Sequence, residues 1–258
     1  MGRQLNLRQH YIFLLEPVHA PSGQLLAWEL LTRFTHSNEV ASPLYTGTEH
    51  ELFSCMLVPE KWQLFLLQLE QIDTLFASGF AQTIALNVDR DIIDGVLHHP
   101  AVQQRLAQWP LLRLEVSACF TERYLPSDSA LLQNLVARLS APLWLDDFGA
   151  GSSTLSMLDS NVFEYVKTDR RFFWKYGESH AFDLMLNHLN ELSNGVIVQG
   201  VDTQKHREWL AGKPLAGLQG RQWRMKQITD FDEFNKGSKA AGTLKKRNNK
   251  NISNVIFL

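Results

Sequence analysis

Asp146 and Asp147, adjacent acids at the end of an apolar run in LWLDDFGAGSS, are the residues of this chain with the most evident chemistry. Leu143, Trp144 and Leu145 read as a buried strand that presents both carboxylates at its end. Gly149 and Gly151 supply the backbone freedom of a tight turn, and Ser152 or Ser153 could cap a following helix. Two neighbouring like charges repel, so such a pair needs bulk water or a cation. For an isolated Asp-Asp the solvated turn is the commoner explanation. Here other apolar runs also end in a polar residue, and that raises the weight of the cation.

Those ends carry Glu29, Asn87, Glu115, Lys167, Gln199 and Gln219. Each alone is explicable as a cap, a turn residue or a solvated face. Together, carboxylates and an amide carbonyl with no His or Cys among them form a hard oxygen donor set, suited to Mg²⁺ or Mn²⁺ rather than Zn²⁺. Two such ions bridged by a carboxylate such as Asp146 could activate water for in-line attack on a phosphodiester. Lys167 and Arg33 would add positive charge for an anionic substrate. No P-loop, GxGxxG or Ser-His-Asp pattern competes, and His98-His99 reads as the polar end of a helix.

The elements that must position these residues alternate in type. YIFLLEPV (11–18) and LLAWELLTRF (25–34), joined through Pro21 and Gly23, predict a hairpin. The stretch 49–78 predicts helix interrupted near Pro59. Then come strand TIALNVD, a helical stretch through VLHHPAVQQRLAQW, strand LRLEVS, helix SALLQNLVARLS and LWLDDFG. After a short helix follow strand YVKTDRRF, helix SHAFDLMLNHLNELSN, strand VIVQGVD, helix TQKHREWLAG and finally GLQGRQW. Regular alternation with eight strands predicts an α/β fold, a modified TIM (β/α)8 barrel whose first strand is antiparallel. In such barrels the reacting groups stand at the C-terminal strand ends, where all the named residues fall.

Composition fits one globular domain. Of 258 residues, 45% are hydrophobic and 20% charged, and the formal net charge of -2 is unevenly spread. The segment 236–258 contains Lys236, Lys239, Lys245, Lys246, Arg247 and Lys250 and no acid, so a single acidic domain over 1–235 is expected to precede a basic, disordered tail. No apolar run approaches the roughly 18 to 20 residues of a membrane span, and the N-terminus lacks a signal-peptide cleavage pattern. The expectation is cytoplasmic, without membrane or direct DNA binding. Cys55 and Cys119 lack CxxC spacing and read as core thiols.

From Tyr11 to Trp223 the chain resembles the EAL domains, bacterial phosphodiesterases that open cyclic di-GMP to linear pGpG. The resemblance is carried by Glu29 and Arg33 in WELLTRF, Asn87 in ALNVD, Glu115 in LEVS, Asp146-Asp147 in DDFGAGSS, Lys167 in VKTDRRF and Gln219 in LQGRQW. It implies a barrel of EAL type with two Mg²⁺ or Mn²⁺ ions held by Glu29, Asn87, Glu115, Asp146 and Asp147. It further implies substrate contact through Arg33, Leu31, Gln219 and Asp169, catalytic roles for Lys167, Gln199 and Asp147, and frequent homodimerisation.

Departures from the family pattern weigh on activity. Gln199, in VQGVD, stands where the family carries a glutamate proposed as general base, and an amide cannot take up a proton near neutral pH. Ala118 replaces a glutamate that steadies the DDFGAG loop, Asp202 shortens another, and Glu16 stands where a glutamine is usual. Three functions stay open: a weak cyclic di-GMP phosphodiesterase, a receptor that binds the dinucleotide without cleaving it, and a regulator acting through a protein partner in motility, fimbrial or biofilm control. The donor set argues against a pure adaptor, and Gln199 argues against an efficient enzyme.

Overall fold

A computed structural model describes residues 11–34, 53, 56–117, 126–139, 141–150 and 157–231. The expectations for Cys55, Cys119, Ala118, Ser152, Ser153 and the tail lie outside the described residues.

Nine strands form one sheet: β1 (Tyr11–His19), β2 (Leu25–Phe34), β3 (Ile84–Val88), β4 (Leu112–Ser117), β5 (Leu143–Phe148), β6 (Phe163–Thr168), β7 (Val196–Val198), β8 (Gly217–Gln219) and the two-residue β9 (Lys226–Gln227). From β2 to β8 successive strands pair in parallel. β1 closes the ring, pairing antiparallel with β2 along its whole length and with β8 at Val18 and His19. The result is the eight-stranded closed barrel with an antiparallel first strand. β9 adds to β1 at Leu14 and Leu15 and had no signal in the sequence.

Seven helices are described: α1 (Val58–Ala77), α2 (Arg90–His98), α3 (Pro100–Ala107), α4 (Pro126–Leu139), α5 (Arg170–Tyr176), α6 (His180–Leu192) and α7 (Gln204–Leu210). Polar residues at the strand-to-helix turns start them. Asp89, Asp169, Ser179 and Thr203 each accept a hydrogen bond from a backbone N–H of the first turn of α2, α5, α6 and α7. Phe53 is helical, Met56 and Leu57 are not, and α1 then starts with Pro59 in its first turn, where a proline displaces no helical hydrogen bond, so the helical stretch breaks near Pro59 as expected. One sequence expectation needs correction. The stretch 90–107 is two helices, α3 starting afresh at Pro100. Among the described residues, no helix is long and apolar enough to cross a membrane.

The apolar residues divide into two layers. The larger packs the helices onto the outside of the barrel, with Leu69, Ile72, Leu86, Leu114 and Leu145 among its fully buried members. A smaller cluster joins Val18, Ala27, Ala85, Trp144 and Ile197. Ala27, Ala85, Trp144 and Ile197 each lie two residues before a polar residue of the mouth, namely Glu29, midway along β2, and Asn87, Asp146 and Gln199 near the ends of their strands. Strand side chains repeat every second residue, so these apolar groups share the inward face and lie directly beneath the polar ones. Trp144, 1% exposed, forms the bulk of this plug. Its Nε1 donates to Glu164 Oε2 at 2.8 Å, and Arg113 Nε donates to the same oxygen at 2.7 Å.

Candidate active site

Above the plug the strand ends bring together Glu29, Glu115 and Asp146, whose carboxylate oxygens lie within 4.8 Å of one another. All three are buried, as is Lys167, which rises from β6 into their midst. Lys167 Nζ donates to Glu29 Oε2 at 2.7 Å and Glu115 Oε2 at 2.5 Å, and stands 3.6 Å from Asp146 Oδ1. The ammonium therefore faces carboxylates rather than open solvent, and its first effect is to hold Glu29 and Glu115 in place.

Amides complete the arrangement. Asn87 Nδ2 donates to Glu29 Oε1 and Gln219 Nε2 to Glu29 Oε2, each at 2.7 Å. Gln219 Nε2 also reaches Glu16 Oε2 at 3.2 Å. Gln199 Nε2 donates to Asp146 Oδ1 at 2.6 Å. Trp174 Nε1 donates to the carbonyl of Gly200 at 2.8 Å, which fixes the backbone immediately after Gln199. Gly200 holds φ at 82°, and a Cβ there would stand 2.6 Å from the Cβ of Arg170.

Electrostatics follow from this burial. Desolvation and then the like charge of Glu29 push the Glu115 carboxyl well above its ordinary value. Burial lifts Asp146 to about 7, with Lys167 opposing and Asp147 adding to the rise. Glu29 goes the other way: burial raises it, but the Lys167 charge and the donors around it prevail and its pKa is lowered. Lys167 is raised although burial opposes this, because Asp146, Glu115 and Glu29 all favour the ammonium. Burial and Glu29 also raise Glu16. With all three carboxylates ionised the centre would carry more negative charge than one ammonium offsets, and the raised values of Glu115 and Asp146 express that excess.

The remaining predicted residues fall around this centre in different ways. Asp147 is half-buried with φ 57°, a left-handed conformation that Asp adopts more readily than most residues, and accepts from Ser117 Oγ at 3.4 Å. Leu31 and Arg33 line both clefts at the mouth. Asp169 caps α5 through Phe172 N at 2.8 Å and lines neither cleft, so its carboxylate is engaged in helix capping. Asp202 accepts from Arg221 N at 3.0 Å beside the second cleft. Two cationic cleft-lining residues had gone unnoticed in the sequence, Arg170 and Arg221. The available signal was their place directly after Asp169 and Gly220, the turns behind β6 and β8.

The donor set fits a divalent cation. It is made of hard oxygens with an excess of negative charge, and Glu115 Oε1 is buried without a hydrogen-bond partner among the described residues. An oxygen that has given up water needs some cation or donor in return.

Comparison with known proteins bears on this geometry. A family model described as the EAL domain matches residues 3–224. The chain is 26% identical over 242 residues to Cyclic di-GMP phosphodiesterase PdeH of Escherichia coli (strain K12), covering 90% of this chain and 89% of that protein. It is 23% identical over 215 residues to the Anti-FlhC(2)FlhD(4) factor YdiV of Salmonella typhimurium, covering 80% and 87%. Among solved structures, the EAL-like domain protein YdiV superposes with a TM-score of 0.70 at 20% identity, over 86% of this chain and 95% of that one. Klebsiella pneumoniae BlrP1, in a manganese and cyclic di-GMP complex, gives 0.65 at 20% identity over 88% and 59%.

Proposed function

The chain belongs to the EAL domain family, and from that membership we propose that it binds cyclic di-GMP at the barrel mouth with Mg²⁺ or Mn²⁺ and hydrolyses it slowly to linear pGpG. The observation that carries this reading is the convergence of Glu29, Glu115 and Asp146 around Lys167, with an amide rather than a carboxylate at Gln199. A divalent ion held by these three acids, with Asn87 adjoining, would supply Lewis acidity toward a phosphodiester.

The chain's own residues do the rest. Arg33, joined by Arg170 and Arg221 on the same cleft, binds the phosphate oxygens, and Leu31 offers an apolar surface to a nucleobase. Gln219 and Asn87 hold Glu29, Lys167 holds Glu29 and Glu115, and the plug beneath excludes water from below. Gln199 orients Asp146 through a hydrogen bond and accepts no proton. Proton removal from the attacking water is then left to Asp147, the ionisable acceptor beside the centre, and losing a dedicated general base typically costs on the order of a hundred- to ten-thousand-fold. The same amide favours a second reading, a receptor that binds the dinucleotide and acts on a protein partner, a role to which the likeness to YdiV lends support.

The test is pGpG release in Mg²⁺ and Mn²⁺ by wild type, Gln199→Glu and Gln199→Glu with Ala118→Glu, alongside dinucleotide binding in Ca²⁺. Slow release by wild type and at least a roughly ten-fold rise in the variants is the expected result. Inert proteins that still bind establish the receptor, and absence of binding in any divalent ion refutes both readings.

A further inference from the structure

Four buried side chains set the charge of the centre. Fully ionised, as ligands to a cation are, Glu29, Glu115 and Asp146 bring three negative charges and Lys167 one positive, so two negative charges remain, which one divalent cation neutralises. The hydrogen bonds point to the same number. Both oxygens of Glu29 are engaged, Oε1 by Asn87 and Oε2 by Lys167 and Gln219. Glu115 gives Oε2 to Lys167, while Oε1 is buried and has no partner among the described residues. Asp146 Oδ1 is held at 2.6 Å by the NH₂ group of Gln199, the positive end of an amide dipole. A cation approaching Asp146 from that side would have to break this bond and face the amide hydrogens.

We infer that the centre takes a single divalent cation, bound through the open Glu115 oxygen with Glu29 and Asp146, and that the Gln199 amide holds the side of Asp146 where a second cation would bind. The inference rests on the metal-dependent reading of the mouth given above. Charge for a bound phosphodiester comes on the Gln199 side from guanidinium groups instead, since Arg33, Arg170 and Arg221 line the same cleft, about 330 Å³ in volume, as Gln199. Position 199 is then the determinant of stoichiometry. A carboxylate there would exchange a hydrogen-bond donor for a further negative charge and two lone-pair-bearing oxygens.

Metal counting on the full chain tests this. Equilibrium dialysis against Mn²⁺, with and without cyclic di-GMP, should give about one ion per chain, with the electron paramagnetic resonance spectrum of an isolated ion. Gln199→Glu should bind about two, with the exchange-coupled spectrum of a bridged pair. Two ions in wild type, or no more than one in Gln199→Glu, overturn the inference and leave the proposed function standing. No bound ion in wild type removes the metal-dependent reading itself, and the inference with it.

Discussion

Replacing Lys167 by Met removes the only cation within the acidic centre among the described residues and shortens the side chain by a single atom, so the change is chiefly one of charge and hydrogen bonding. In the absence of divalent ions this leaves Glu29, Glu115 and Asp146 buried together without the ammonium that stands 2.5 to 3.6 Å from their oxygens. Removing one partner of a buried ion pair typically costs about 3–5 kcal/mol. At roughly 2–4 °C per kcal/mol for a domain of this size, the melting temperature in EDTA should fall by roughly 10 °C. The loss should depend on pH with a definite sign. Burial raises Glu115, and raises Asp146 to about 7, and stability linked to a raised carboxyl is present at low pH and lost as pH rises through its folded-state value. Lys167 lowers both groups, so its removal drives them higher, and the deficit against wild type should widen between about pH 5 and pH 8. Saturating Mg²⁺ should return part of it, since a ligand at a hundred times its Kd adds about 2.7 kcal/mol. Differential scanning fluorimetry in EDTA and in Mg²⁺ at several pH values measures all of this. A Lys167→Met protein that melts within 2 °C or so of wild type at pH 8 in EDTA would refute the idea that the ammonium offsets the carboxylates.

Trp144→Ala empties the plug beneath the site and strands Glu164 with Arg113 alone, and should cost about 3–5 kcal/mol in urea denaturation. Gly200→Ala places a methyl group at φ 82°, 2.6 Å from the Arg170 Cβ, and should lower stability by about 1–3 kcal/mol. Because Gly200 follows Gln199, that variant should also weaken dinucleotide binding, and unchanged affinity by titration calorimetry would contradict the coupling. Asn87→Ala removes the donor on Glu29 Oε1 and should reduce Mg²⁺ affinity by about ten-fold or more, measured by the same method.

The barrel was legible because its strands are short apolar runs, each closed by a polar residue and separated by helical periodicity. The rule that reacting groups stand at the C-terminal strand ends also placed Glu29, Asn87, Glu115, Asp146, Lys167, Gln199 and Gln219 at one end. Partner choice was not legible. Nothing local in VQGVD says that Gln199 bonds Asp146, 53 residues earlier, or that Lys167 turns to Glu29, 138 residues away. Those contacts depend on the register of whole strands. Local chemistry was also misjudged where one residue serves two ends: YVKTDRRF read as continuous strand, yet Asp169 caps α5 and turns the chain, so Arg170 reaches the cleft. In the same way Pro100 separates two helices that hydrophobic spacing alone had merged.

The closure of the ring through β1 has a consequence for the order of events during synthesis. Glu29 and Gln219, 190 residues apart, share a hydrogen bond, and Gln219 also reaches Glu16, 203 residues away, across the two antiparallel seams. The N-terminal hairpin emerges from the ribosome first, yet its open edge has no mate until β8 follows. One of the three side-chain donors to Glu29, Gln219, arrives last. A chain still being translated therefore presents an unsatisfied strand edge, and a Glu29 that lacks its Gln219 donor, until the step that seals the ring.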